Sequence, residues 1–411
     1  MSDPAGTPVD HRTTSEASAS GVLVPAEPNG PAQLGVEPGG GSQAGGRRGQ
    51  LESSKLRPGW TTGACAAAGA RAAYAALLTG EFPDPVTVDL PQHRSPAFAL
   101  TKYRLDEAGF AEVCVTKDAG DDPDVTHGAI IRTRVYRGSA ESGIVFRAGH
   151  GVGTVTLPGL PLEIGQPAIN PMPRGYITRN LRAAAGLTDG DPDPDVVVEV
   201  GVDHGEELAR KTMNPRLGII GGISVLGTTG VVVPYSCAAW IDSIRRGVDV
   251  AKALGHDHVA GCTGSTSEKV VRSLYGLPET SLLDMGDFVG AVLTYLKKVP
   301  LPRLTICGGI GKLAKLADGH LDLHSARSRV DLDFLATLAR DNGASDEVVE
   351  VIPASQTALG AYKKAKELGF DLATMIAEKA RQEALAVLAG APVATDIVVI
   401  DRAGNIVGRA G

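Results

Sequence analysis

The chain has 411 residues, with 40 Lys and Arg against 47 Asp and Glu, for a formal net charge of −7. That balance argues against a nucleic-acid backbone as the main partner, since such binding relies on concentrated Lys and Arg, but it permits an anionic small molecule in a local basic pocket. No apolar run reaches the roughly 18 residues of a membrane span, so a cytoplasmic protein with no membrane partner is expected.

The length favours two domains plus a prefix belonging to neither. Residues 1–50 are rich in Ser, Gly, Pro and Thr and poor in aromatic and branched apolar residues, the composition of a disordered tail. From Thr61 to Thr79 an Ala-rich stretch predicts a helix, with Thr61 or Thr62 as N-cap and Gly80 as its stop. Short strand candidates follow at Val86–Leu90, Ala111–Thr116, Ile130–Tyr136, Gly143–Phe146 and Gly153–Leu157, then a Pro- and Asn-rich turn over Gln166–Arg174. An α+β domain over residues 51–200 is expected. After about Val200 helices alternate with short apolar strands: His258–Gly261 precedes Ser267–Tyr275, and Leu304–Cys307 precedes Lys312–Leu316. This pattern predicts an α/β domain over residues 201–411 with an open, mainly parallel sheet, Rossmann-like in arrangement. Cys65, Cys114, Cys237, Cys262 and Cys307 are scattered and include no Cys-x-x-Cys pair, so neither a disulfide framework nor a structural zinc site is expected.

The densest charge lies in Lys117-Asp118-Ala119-Gly120-Asp121-Asp122-Pro123-Asp124-Val125-Thr126-His127-Gly128, just beyond a predicted strand. Carboxylates this crowded repel one another unless something charged or reactive is handled there, which makes the run a candidate active site. A solvated turn is the plainer account, because Asp, Gly and Pro are ordinary loop residues.

Two glycine-rich turns sit beyond strand ends and before helices, where an open parallel sheet places its ligand. In Gly261-Cys262-Thr263-Gly264-Ser265 and Cys307-Gly308-Gly309-Ile310-Gly311-Lys312 small residues allow close approach, and helix-terminal N–H groups can meet a carboxylate, ribose or phosphate. Neither spells a full Gly-x-Gly-x-x-Gly or a Walker loop, and a tight strand-to-helix turn explains each on local grounds. A third island, Asn214–Gly230, is too rich in glycine for an uninterrupted helix. It reads as a close backbone wall, either a crossing between the halves or a ligand contact, with Arg216 pairing a carboxylate or tying the joint.

Several of these segments carry a specific resemblance. Arg57-x-Gly59-Trp60-Thr61-Thr62-Gly63-x-Cys65-Ala66-Ala67-Ala68, the Lys117–Gly128 run, Gly151-Val152-Gly153-Thr154-Val155-Thr156, Ala168-Ile169-Asn170-Pro171-x-Pro173-Arg174 and the Asn214–Gly230 island occur in order and together resemble the CbiD family. The similarity extends from about Leu56 to the C-terminal region. It implies an S-adenosylmethionine-dependent methyltransferase of vitamin B12 biosynthesis, acting at C1 of a cobalt-containing corrin precursor. Three positions depart from the family pattern. Gly309 stands at a histidine place, Gly261-Cys262-Thr263-Gly264 replaces Gly-Asn-x-Gly, and Asp287 replaces an amide.

On that resemblance the roles fall as follows. Asp118, Asp121, Asp122 and His127, with Asp124 beside them, are candidates to remove a proton or stabilise positive charge on the ring. Gly261, Thr263, Gly264, Ser265, Gly308, Gly309 and Gly311 are expected to hold S-adenosylmethionine. Arg57, Lys117, Arg174, Arg216 and Lys312 are expected to orient the carboxylates of the macrocycle, with Thr61, Thr62 and Asn170 contributing from the same motifs. The metal belongs to the substrate, and no protein-held metal is expected. A homo-oligomer is compatible with this reading. Mg-dependent phosphoryl transfer and a non-catalytic corrin-precursor carrier are the alternatives.

Overall fold

Alanine, the strongest helix former, fills the first long element of the computed structural model, which describes residues 56–411. The expected tail over residues 1–50 therefore lies outside the described residues. This element, α1 (Thr62–Thr79), starts where the Thr61 hydroxyl accepts the Ala64 N–H and stops at Gly80 in the left-handed region, φ 86°. Its small side chains let it sink into the core. Ala64 to Ala68 are fully buried, and a Cβ added at Gly69 would lie 2.7 Å from Thr133 Oγ1 on the sheet below.

That sheet comprises β1 (Lys102–Asp106), β2 (Phe110–Thr116), β3 (Ile130–Arg137), β4 (Ile144–Ala148) and β5 (Val196–Val202), in the order β1-β2-β3-β5-β4. All neighbours are antiparallel except the β5/β4 pair. Side chains alternate between faces, so Ala111, Val113, Ile131, Val135, Val198 and Val200 join the core under α1. Across the other face Arg104, Glu112, Arg134, Glu199 and Arg147 are successive cross-strand partners, a row of alternating charge. Glu112 is nearly buried there, with Arg104 at 3.4 Å, Arg132 at 2.9 Å and Arg134 in direct contact. Burial raises its pKa, but the three guanidiniums, Arg134 foremost, outweigh that and lower it.

The turn expected over Gln166–Arg174 is corrected by the structure. Its second part is the start of α2 (Pro171–Ala184), with Asn170 at the N-cap position and Pro171 opening the first turn. Asn-Pro serves a helix start as well as a turn, because proline lacks only an N–H that a first turn leaves unpaired anyway. Two strand candidates are also shorter than expected. Val86–Leu90 contributes only Val86–Thr87, and Gly153–Leu157 is represented by Gly151–Val152 and Thr154–Val155. The last two strands pair with the glycine-rich island, Gly151 with Gly222 and Val155 with Ile219, while Val86–Thr87 pairs with Ala97–Phe98 and Gly59–Trp60 with Val231–Val232. The island is thus a close backbone wall. A Cβ at Gly222 would lie 2.2 Å from the Gly151 carbonyl.

Beyond the wall come α3 (Ala238–Ala253), β6 (His258–Cys262), α4 (Ser265–Tyr275), β7 (Leu282–Asp284), α5 (Val289–Lys298), β8 (Arg303–Gly309) and α6 (Ile310–Ala317). Helices α7 (Leu332–Asp341), α8 (Asp346–Val351), α9 (Ala358–Glu367) and α10 (Leu372–Leu388) precede β9 (Ala394–Ile400) and β10 (Ile406–Ala410). The second sheet runs β7-β6-β8-β9-β10, parallel throughout except for the antiparallel edge β10. The fold is mixed α/β, with two mixed five-stranded sheets. Among the described residues no helix is long and apolar enough to cross a membrane.

Candidate active site

The second sheet reverses its order between β6 and β8, and the loops leaving the carboxyl ends of those strands diverge to opposite sides. A crevice at that point is where parallel α/β sheets bind ligands. A cavity of about 1080 Å³ opens there. Thr263, Gly264 and Ser265 line it from the end of β6, and Gly309, Gly311 and Lys312 from the end of β8. Cβ atoms added at Gly264, Gly309 or Gly311 would meet nothing within 4 Å, so these glycines keep a recess clear. Gly261 and Gly308 serve the strands behind it. A Cβ would lie 2.9 Å from Met285 Sδ at Gly261 and 2.7 Å from Thr263 Cγ2 at Gly308, so both allow close packing rather than line the recess. Lys312 belongs to this cavity and pairs with Asp287.

In the first half the Lys117–Gly128 run wraps the chain at Arg57–Gly59. Arg57 Nη1 and Nη2 donate to the two Asp118 oxygens at 2.5 and 2.9 Å, and its backbone N–H donates to Asp121 Oδ2 at 2.6 Å. The Arg57 guanidinium, with the Gly120 N–H, holds the Asp118 carboxyl down at about 2. Asp122 Oδ1 accepts the Tyr235 N–H at 2.7 Å. Lys117, 1 % exposed, donates to Asp124 at 2.6 Å, and Asp124 also accepts the Thr126 N–H and hydroxyl. Burial raises the Asp124 pKa, but Lys117 and Thr126 outweigh it and lower it. His127 Nδ1 accepts the Ala119 N–H at 3.1 Å. In the neutral ring the proton then sits on Nε2, which makes the exposed nitrogen a donor rather than a base.

The remaining expected residues mostly hold the framework. Thr61 caps α1, Thr62 is buried in its first turn, and the Asn170 N–H bonds the Val225 carbonyl. Arg174 donates to the carbonyls of Ile169 and Pro167 and stacks over Phe146, and burial lowers its pKa. Arg216 reaches from the island to both Glu268 oxygens on α4, at 2.5 and 2.8 Å. It thereby ties the island to α4.

Family comparison agrees with the motifs. The model described as CbiD matches residues 49–234, and that described as CbiD, C-terminal domain, matches residues 322–411. The chain belongs to the CbiD family. A cobalt-precorrin-5B C(1)-methyltransferase of Brucella anthropi is 54% identical over 361 residues, 87% of this chain and 96% of its own length. That of Agrobacterium fabrum is 53% identical over 360 residues, 88% and 94% of the two chains. A 1.9 Å crystal structure of the cobalamin biosynthesis protein CbiD from Archaeoglobus fulgidus shares 29% identity with a TM-score of 0.34, covering 61% of this chain and 76% of that one.

Gly309 leaves open space at the cavity, and Asp287, just outside its lining, supplies the carboxylate that pairs with Lys312. The cavity also contains residues that sequence reading missed: Lys315, Ser328, Arg329, Asp401 and Arg402. The available signal for Asp401 and Arg402 was their place at the carboxyl end of the strand Ala394–Ile400. Arg329 sits in a loop with no such signal. Among the described residues no cluster of three or more His, Cys, Asp or Glu is arranged to hold a metal ion.

Proposed function

We propose that the chain transfers a methyl group from S-adenosylmethionine to C1 of cobalt-precorrin-5B in cobalamin biosynthesis, giving cobalt-precorrin-6A and S-adenosylhomocysteine. The observation that carries this reading is the 54% identity extending over 96% of a relative of that name. The second sheet is read as Rossmann-like, its order that of a doubly wound sheet with an antiparallel edge, and the cavity at its switch point as the S-adenosylmethionine site. The clear recess at Gly264, Gly309 and Gly311, together with the N–H groups opening α4 and α6, suits a ribose and a polar tail.

The methyl donor supplies an electrophilic carbon on sulfur; C1 of the ring supplies the electron pair, and the donor leaves as a thioether. What falls to the protein is alignment and exclusion of water. The first half then presents the macrocycle. We read its functional border as falling after Val232 rather than after residue 200, a reading supported by the pairing of Val231–Val232 with Gly59–Trp60. The His127 Nε2–H and the carboxylate oxygens that Asp121 and Asp122 leave unbonded among the described residues are groups of the aspartate turn that can meet the ring. Lys117, Asp118 and Asp124 hold that turn in shape. A cytoplasmic setting suits the five free thiols.

Calorimetry with S-adenosylhomocysteine and mass spectrometry of cobalt-precorrin-5B after incubation with S-adenosylmethionine test the proposal. Binding and the gain of one methyl group are expected. No binding with or without the precursor, and no mass gain, would overturn it.

A further inference from the structure

Of the residues lining the cavity, Lys312, Lys315, Arg329 and Arg402 are basic and only Asp401 is acidic. Asp401 is already engaged, since its carboxylate accepts from the Ala403 and Asn405 N–H groups and from Asn405 Nδ2. The wall of this cavity is therefore strongly cationic on a chain whose formal charge is −7.

Lys315 is the unusual member. It is 7 % exposed, and its ammonium donates to the Leu323 carbonyl at 2.9 Å, with no carboxylate within 4.0 Å among the described residues. Lys312 donates to the same carbonyl oxygen at 3.1 Å, so two ammonium groups converge on one neutral acceptor. Asp287 pairs with Lys312, and Lys315 feels the carboxylates of Asp287 and Asp322 only at a distance, with neither in contact with its ammonium. Arg329 and Arg402 are exposed and have no ion-pair partner among the described residues. A buried ammonium with donors to spare beside a second cation is stabilised by an anion entering from the cavity. A sulfonium would be repelled by such a wall, so the group that meets it is the anionic end of a ligand.

We infer that Lys315, backed by Lys312 and flanked by Arg329 and Arg402, is the binding site for an alkyl carboxylate. Two ligands of the proposed reaction carry that group: the amino-acid end of S-adenosylmethionine and the periphery of the macrocycle. The inference rests on reading this cavity as the methyl donor's site. It adds the residues that read the ligand's negative charge.

The test uses full-length wild type and Lys315→Met, a swap close in volume that keeps the Leu323 carbonyl bonded to Lys312. Binding of S-adenosylhomocysteine and of 5′-methylthioadenosine, which lacks the carboxylate, is measured by calorimetry, and binding of cobalt-precorrin-5B by absorbance titration. With the donor's carboxylate at Lys315, the variant binds S-adenosylhomocysteine roughly tenfold or more weakly and methylthioadenosine unchanged. With a macrocycle carboxylate there, both nucleosides bind unchanged and the precursor weakens by a similar factor. In either case the Tm of Lys315→Met equals or exceeds that of wild type, because a buried ammonium without a carboxylate has gone. Unchanged binding of all three ligands overturns the inference, as does a lower Tm with both nucleosides weakened together, the mark of a structural lysine. If wild type binds neither nucleoside, the cofactor reading is what has failed, and the precursor titration still decides the role of Lys315.

Discussion

Lys117 and Lys315 are both almost out of water, yet the structure provides for them differently. Lys117 has Asp124 at 2.6 Å, itself fixed by Thr126, in a turn whose aspartates each find a partner. Lys315 has one carbonyl and a neighbouring ammonium. Crowded charge in a sequence therefore marks a site only when the fold leaves the charge unsatisfied; when the fold pairs it, the same crowding marks a structural knot. On that criterion the aspartate turn reads chiefly as a clasp on Arg57–Gly59, and the cavity at the second sheet is the proposed ligand site.

The comparison breaks most sharply at glycine. A Cβ at Gly59 would lie 2.0 Å from the Ala119 carbonyl carbon, whereas one at Gly309, with ordinary φ of −68°, would meet open space. Gly59→Ala is expected to cost about 4 kcal/mol or to prevent folding, because backbone must move. Gly309→Val should leave the unfolding free energy measured in urea within about 0.5 kcal/mol of wild type while weakening S-adenosylhomocysteine binding. Equal losses of stability in the two variants would show that both turns are structural.

Next in size is the ion pair itself. Asp124→Asn strands the Lys117 ammonium in the core, and a loss of about 3 kcal/mol is expected in chemical denaturation. Lys117→Met combined with Asp124→Asn should recover much of that loss, because neither charge then remains unpaired. A double variant no more stable than Asp124→Asn alone would mean that the pair contributes through packing rather than charge.

These contrasts also explain how much could be read in advance. The helix Thr62–Thr79 was legible because its propensity, cap and stop are all local. The recess at Gly264 and Gly309 was legible because both loops follow short apolar strands in the same pattern. Lys315, Arg329 and Arg402 were not, since they come from α6, the loop before α7 and the end of β9, and only the strand order brings them to one cavity. The aspartate run was visible, but its meaning depended on Arg57, some 60 residues away. Asn170-Pro171 was read as a turn because its residues suit either outcome, and burial of Tyr176, Ile177 and Leu181 decided for the helix.

A smaller effect follows from acid. Arg57 and the Gly120 N–H hold Asp118 down at about 2, and Asp124 and Glu112 are lowered by their own cationic partners. A folded-state pKa below the unfolded one contributes stability that is present above about pH 4 and is lost as the pH falls toward the folded value. Urea midpoints measured from about pH 5 down to about pH 2 should therefore decline, and Asp118→Asn should decline less steeply. Asp118 is nearly half exposed, so solvent screens its share and the change in slope should be modest. An identical slope in wild type and variant would remove Asp118 from the account.

The smallest change in stability, and the finest test of what the turn contributes to chemistry, is at His127. Its Nδ1 anchors the Ala119 N–H while its Nε2 has no hydrogen-bond partner among the described residues, so the half-exposed ring combines a loop contact with a spare donor. Asparagine separates the two, because its side-chain oxygen can take the Nδ1 position and accept the same N–H while nothing replaces Nε2. His127→Asn should thus hold stability within about 0.5 kcal/mol, and His127→Ala should lose about 1 kcal/mol through the missing hydrogen bond. Both should bind S-adenosylhomocysteine as wild type does, since the turn lies outside the cavity lining. Turnover of cobalt-precorrin-5B is expected to fall equally in the two variants if Nε2–H meets the macrocycle. If His127→Asn instead turns over at the wild-type rate, the imidazole serves only to shape the loop, and the donor to the ring must be sought elsewhere on the first half.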